Sequence, residues 1–217
     1  MPFALPVNDC RRCPVGAACA PATCAFVCER KDTGRHLSFV GTPIERVVFV
    51  KRGYLALHRG PGTPVALRSP GAMVGIECLG PRASVHTATA ITDVEVCSLG
   101  AADFRSLATR APSAVLGLLT VELGRRDRDE SFRTGPADAR VARLLLERLR
   151  RGGAAHPLPF NQRTFARVLA LRPETLSRVL TRLRSTGVIG DGGFVIDAVA
   201  LADLAEGRDG TSVIPRT

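Results

Sequence analysis

Two sets of side chains in this 217-residue chain have types and spacings that could do chemistry. The first is a run of thiols: Cys10, Cys13 and Cys19 stand at C-x2-C-x5-C within "CRRCPVGAAC", Cys24 and Cys28 follow, and Cys78 and Cys97 stand alone. Thiolates are soft ligands that suit zinc and iron–sulfur clusters, and C-x2-C is a zinc-chelate spacing, so spacing leaves both metals open. Seven is an odd count and a poor start for a disulfide framework. The second set lies in "RPETLSRVLTRLRSTG". Glu174, Ser177, Arg178 and Thr181 follow i, i+3, i+4, i+7 and share one helical face, opposite Leu176, Val179, Leu180 and Leu183. Short or forked hydrogen-bonding groups near a helix N-terminus suit base edges: Arg pairs with guanine O6 and N7, Glu accepts from cytosine N4, and Ser is adaptable.

The elements that must position these groups are legible in outline. Residues 37–99 carry short runs rich in Val, Thr and Ile between Gly and Pro breaks, which predicts a compact β-roll. "RVVFVKRGYLALH" predicts a hairpin turning at Gly53. After Leu99 the character becomes helical. "AADFRSLATRAP" is a short helix ended near Pro112, and a longer one follows with Ser113 as N-cap. Its narrow stripe of Leu116, Leu119 and Leu123, running on to Arg126 and Glu130, fits a dimer seam of the coiled-coil kind; packing on the chain's own β-roll is the other use of such a stripe. "RTGP" at 133–136 breaks the helix. Beyond it, Val141, Leu144, Leu145 and Leu149 mark one helical face, stopped by Gly152 and Gly153. Helix, tight turn, helix and a hairpin around Asp191-Gly192-Gly193 then make a winged helix–turn–helix, with Pro173 at the first turn of its second helix. Arg163 and Arg167, on the preceding helix, are better placed for phosphates. The expected class is α+β, with a cysteine-rich segment (1–36), a β-roll sensor (37–110), a dimerisation helix (111–133) and a winged helix–turn–helix (137–217).

Charge points the same way. The net charge is +10, and all but two of the thirty basic residues are arginine. Eleven of these arginines fall between Arg140 and Arg184, against only Glu147 and Glu174, which concentrates the charge where a polyanion would bind. No apolar run approaches the ~18 residues of a membrane span. "MPFALPVNDC" lacks a basic n-region and an h-segment, so a cytoplasmic protein with reduced thiols is expected. No nucleophile–base pair or phosphate loop points to an enzyme, and His36, His58, His86 and His156 are scattered. A small Fe–S electron carrier would account for the thiols but not for the helix–turn–helix.

The order of β-roll, long helix and winged helix–turn–helix resembles the Crp–Fnr superfamily of bacterial transcription regulators. "ETLSR", Glu174 to Arg178, is similar to the E-x-x-S-R recognition motif of its oxygen-sensing branch, the fumarate and nitrate reduction regulators (FNR). "MVGIECLG" and "VEVCSL" are similar to segments of that branch's β-roll. The likeness runs from about Glu29 onward, strongest in the helix–turn–helix. It implies oxygen or redox sensing through a [4Fe–4S] cluster, with a zinc or thiol redox site as the alternative, held by Cys10, Cys13, Cys19 and Cys97, with Cys24 and Cys28 as possible substitutes. It also implies a homodimer joined through Leu116, Leu119, Leu123 and Arg126, palindromic double-stranded DNA with half-sites like TTGAT and ATCAA, and RNA polymerase as a further partner. Cyclic-AMP receptors of this superfamily hold the phosphate with an Arg-Ser pair. The matching positions here are Ser84 and Val85, with Arg82 out of register, so a cyclic nucleotide is not expected.

Overall fold

The structure, a computed structural model, describes residues 26–60, 64–80, 83–150 and 161–207. Cys10, Cys13, Cys19 and Cys24 lie outside the described residues. The chain divides into two compact units, Met1–Arg126 and Asp127–Thr217.

The first unit is the expected β-roll. Its strands are β1 (Val27–Lys31), β2 (His36–Ser38), β3 (Arg46–Arg52), β4 (Leu55–His58), β5 (Pro64–Arg68), β6 (Met73–Val74), β7 (Thr87–Ala90) and β8 (Val94–Gly100). They form two four-stranded antiparallel sheets, ordered β1-β8-β3-β6 and β2-β7-β4-β5. Side chains alternate along a strand, and here both faces of β3 and β8 are used. Val48, Val50, Val94 and Val96 join Leu55 and Ala90 in a cluster between the sheets. Val47, Phe49, Cys97 and Leu99 join a second cluster with Met73, Ile76 and Cys78, and with helices α1 (Ala101–Arg110) and α2 (Pro112–Ser131) through Phe104, Val115 and Leu118. Each large side chain so buried stabilises the fold by about 1.5–3 kcal/mol.

Three local expectations are corrected. The roll begins at Val27 rather than residue 37, because the inward positions of β1 carry charge and so hide the apolar alternation of a strand. Glu29 pairs with Lys31 at 2.6 Å and Arg46 at 3.0 Å, and accepts from Ser98 Oγ at 3.2 Å. The Lys31 hydrogen bond leads in holding the Glu29 carboxyl below its ordinary value. Second, β3 and β4 are not a hairpin: they lie in different sheets, and β4 pairs with β5 and β7. Gly53 instead carries the chain across, with φ 78°, where a Cβ would collide with the Asp93 carbonyl. Third, α2 opens at Pro112, not behind a Ser113 cap; the missing N–H of proline is harmless in a first helical turn.

One ion-pair network joins α2 to the roll. Arg68 Nη2 lies 3.4 Å from Glu122 Oε1, Met73 N donates to Glu122 Oε2 at 3.4 Å, and Arg125 Nε lies 3.9 Å from the same oxygen. Arg68 and Glu122 are both almost wholly buried. Burial pushes the Glu122 carboxyl above the ordinary carboxylate value, against the pull of Arg68, and lowers the Arg68 pKa. Arg126 closes the network's rim on Glu77 at 3.1 Å. About 10 Å³ of open space remains among Arg68, Glu77, Ser84, His86, Glu122 and Arg126.

The second unit holds α3 (Ala137–Arg150), α4 (Gln162–Val168), α5 (Pro173–Ser185) and α6 (Ala198–Ala205) around Leu144, Leu145, Phe165, Leu176, Leu180 and Leu201. An antiparallel bridge between Ile189 and Val195 closes the wing, with Gly192 and Gly193 at positive φ. No helix among the described residues is long and apolar enough to cross a membrane.

Removing one partner of a buried ion pair strands the other charge. Glu122→Leu should therefore destabilise the protein by about 3–5 kcal/mol in guanidinium denaturation, and adding Arg68→Met should recover most of that loss. Equal losses in the single and double variants would show that the two charges do not act as a unit.

Candidate nucleic-acid interface and thiol site

The predicted reading face forms as a consequence of packing the other face. Leu176, Val179, Leu180 and Leu183 of α5 are buried, which turns Glu174, Ser177, Arg178 and Thr181 outward together. Pro173 starts the helix, and Glu174 lies in its first turn, where the positive end of the helix dipole favours a carboxylate. Arg178 Nε lies 3.5 Å from the Glu174 carbonyl, so its guanidinium folds along the exposed face. On α4, Asn161 caps the helix by accepting from Thr164 N at 2.9 Å, and Arg163 and Arg167 are exposed. Two outward rows therefore flank the turn, one of bare guanidinium groups on α4 and one of mixed donors and acceptors on α5.

Arginines supply that turn's support, which charge counting missed. Ala170 sits in the left-handed region at φ 52°, a conformation unfavourable for a residue with a Cβ. Arg140 Nη1 donates to the Leu169 and Ala170 carbonyls, both at 3.3 Å, while its Nε donates to Gly135 O at 2.7 Å. Arg133 Nη1 reaches the Val168 carbonyl at 3.2 Å. Arg143 donates to the carbonyls of Ser131, Thr134 and Ala205. Arg148 is buried and Arg182 is paired with Asp138. Several of the eleven arginines between Arg140 and Arg184 thus hold the fold together; the exposed remainder includes Arg163, Arg167, Arg172, Arg178 and Arg184. Sequence reading also missed α6, although Asp197 announces it by accepting from Val199 N and Ala200 N, both at 2.9 Å.

On α2 the apolar residues divide between two faces. Val115, Leu118 and Glu122 turn to the roll, and Leu119 packs partly against the same cluster. Leu116 and Leu123 are 62% and 61% exposed. Arg126 is half exposed and engaged with Glu77 of its own chain.

Of the predicted thiol ligands, the described residues hold Cys97 and the substitute Cys28. Cys97 is buried in the cluster beneath α1 and α2, and Cys28, on β1, is its register partner across the antiparallel ladder and is exposed. Directly opposed residues point to the same face, so both thiols lie on the helix side of the sheet. Two soft donors side by side fit one edge of a thiolate site. Among the described residues no three Cys, His, Asp or Glu side chains gather as a metal site. From Cys28 back to Cys19 is nine residues, a reach of up to about 30 Å.

A β-roll, a long helix and a winged helix–turn–helix with an outward row of hydrogen-bonding side chains are the architecture of a DNA-binding regulator. Residues 29–111 match the cyclic nucleotide-binding domain family, and residues 139–205 match the Crp-like helix-turn-helix domain family. The chain is a Crp/Fnr-type transcription regulator, not an enzyme. No curated protein sequence matches it. Among solved structures, it is similar to FixK2 from Bradyrhizobium japonicum, with a TM-score of 0.72 and 23% identity over 83% of this chain and 98% of that one. A CRP-family transcriptional regulator from Thermus thermophilus gives a TM-score of 0.66 and 24% identity over 82% and 96%. At these identities the likeness speaks for the fold.

Two arginine roles separate by experiment. Arg178→Ala should weaken specific DNA binding by about 1–3 kcal/mol and relax preference at one base pair, whereas Arg163→Ala or Arg167→Ala should weaken all sequences alike and flatten the salt dependence. Arg140→Ala should instead destabilise the fold by about 1–2 kcal/mol and leave the salt slope unchanged, because its hydrogen bonds are internal. Binding isotherms at several salt concentrations, with thermal melts, distinguish the two.

Proposed function

We propose that this regulator senses oxygen or another oxidant through a [4Fe–4S] cluster held by Cys10, Cys13, Cys19 and Cys97. In this reading it acts in the cytoplasm as a homodimer on palindromic DNA and works with RNA polymerase. The observation that carries the reading is the position of Cys97. Its side chain packs in the same apolar cluster as Val115 and Leu118 of α2, and the far face of that helix exposes Leu116 and Leu123. A change in what Cys97 holds is therefore felt at the underside of the helix whose outer face offers a seam to a second copy. When bound, the cluster supplies an oxygen-labile centre. The chain's own part is to supply soft thiolate donors, keep Cys97 away from bulk water, and transmit its displacement through packed side chains.

A cyclic nucleotide is not part of this reading, because Ser84 and Val85 stand where cyclic-AMP receptors carry the Arg-Ser pair that holds the phosphate. Ser84 lines both the roughly 10 Å³ left beside the Arg68, Glu122 and Arg126 ion pairs and a cavity of about 620 Å³ shared with His36, Phe39, Glu45 and Arg46, so the reading rests on the missing phosphate-binding arginine and not on lack of room.

Protein purified without oxygen should be brown, with iron and sulfide near four per chain. Cys97→Ala should remove the cluster and Cys78→Ala should not. Colourless protein with stoichiometric zinc would overturn the cluster, and the reverse pattern in the two variants would reassign the fourth ligand. Sedimentation of the holo and apo forms should show a stronger dimer with the cluster, and Leu116→Glu should weaken that dimer without unfolding the chain. Equally tight dimers in both forms would remove dimerisation as the signal.

A further inference from the structure

We propose that Cys28 and Cys97 form a reversible redox pair, a dithiol that hydroperoxides close to a cross-strand disulfide. This goes beyond the cluster reading and does not depend on it, although the two would compete for Cys97.

The register is what brings the thiols together. Cys28 stands opposite Cys97 in the β1–β8 ladder, between the pairs Val27–Ser98 and Glu29–Val96. Directly opposed residues of an antiparallel pair have Cα atoms about 4.5–5.5 Å apart, inside the ~4.4–6.8 Å range of disulfides. Their Cβ atoms, about 4.5–5.5 Å apart, must close toward roughly 3.8 Å. Among the described residues β1 is an edge strand, tied on one side only, and can make that approach. A bond closed by pulling a strand inward is strained, which is the condition for a readily reduced, regulatory disulfide rather than a structural one.

Exposure divides the roles. Cys28 is exposed and meets the oxidant; Cys97 is 8% exposed and meets an oxidised neighbour before any thiol in solution. In the first step the Cys28 sulfur attacks the peroxide oxygen. The O–O bond breaks, an S–O bond forms, and Cys28 becomes a sulfenic acid as one water leaves. The Cys97 sulfur then attacks the Cys28 sulfur, the S–O bond breaks, and hydroxide departs with the Cys97 proton as a second water. Two thiols have given two electrons, and one hydrogen peroxide has become two waters. Cys78 lies in the same apolar cluster but on the 3-10 turn Ile76–Leu79, outside the ladder, and burial pushes its thiol pKa up. It serves as the internal control.

The test uses the full chain in two forms. One is the wild type; the other carries Cys10→Ser, Cys13→Ser, Cys19→Ser and Cys24→Ser, keeps Cys28, Cys78 and Cys97, and lacks the thiol triad needed for the proposed cluster. Each reduced protein is treated with near-stoichiometric hydrogen peroxide, trapped with N-ethylmaleimide, cut with trypsin and mapped by mass spectrometry. In the four-serine form, titratable thiols should fall from three to one. The Cys28 and Cys97 peptides should appear joined, within one chain, and dithiothreitol should separate them. Cys28→Ser should abolish the joined peptide. Cys28 recovered as sulfinic acid, joined to Cys78, or joined to a second chain would overturn the proposal. Iron-free wild type with the joined peptide intact would sink only the cluster reading; iron-loaded wild type with no joined peptide in the four-serine form would sink only this one.

Discussion

The alternation along β3 and β8 is the constraint on which the N-terminal unit rests. Four valines, Val48, Val50, Val94 and Val96, fill the space between the two sheets, while Val47, Phe49, Cys97 and Leu99 turn the other way, toward the helices. The same two strands are thus the wall of two separate apolar clusters. A one-residue slip in their pairing would exchange the two sets and empty both. The β3–β8 register, from Arg46 opposite Gly100 to Val50 opposite Val96, is therefore fixed from both sides. Residues that ride on that wall inherit its precision, Cys97 and its partner Cys28 among them.

From this wall the logic passes to α2, which is divided in the same way. Its inner face brings Val115 and Leu118 to the cluster and Glu122 to Arg68, and its outer face leaves Leu116 and Leu123 in water. An apolar contact tolerates sliding, but a buried ion pair with a backbone N–H bonded to the same carboxylate does not. Glu122, bound to Arg68, Arg125 and Met73 N, therefore sets where along the roll the helix sits.

How much of this was legible in the sequence depends on which interaction decided each element. α5 was readable because one local rule settles it: apolar residues at helical spacing bury one face and so expose Glu174, Ser177, Arg178 and Thr181. The roll was readable as a class, since β-branched runs between glycine and proline breaks leave few alternatives. Its pairing was not, because the choice of β5 and β7 over β3 as neighbours of β4 is made by long-range burial, with no local mark beyond Gly53. β1 escaped notice because ion pairs of Glu29 and Lys31 replace the apolar residues expected on an inward face. Arginine was the hardest to read. A guanidinium that caps carbonyls, as Arg140 does for Leu169 and Ala170, and one that faces a polyanion have the same letter and the same helical spacing. Only their partners separate them. The three thiols of the C-x2-C-x5-C run carry the chemical reading, and they lie outside the described residues.

The antiparallel pairing of β1 with β8 also has a consequence in time. β1 leaves the ribosome first but has no ladder to join until β8 follows about seventy residues later, which at 5–20 residues per second is roughly 4–14 s of synthesis. Through that interval Cys28 has no opposite strand, and every thiol of the N-terminal segment has already been made. The order of synthesis therefore opens a window in which these cysteines meet metal carriers, reductants or one another before Cys97 exists. Occupancy of the proposed thiol site is then a matter of which of them arrives during translation as well as which binds most tightly at equilibrium.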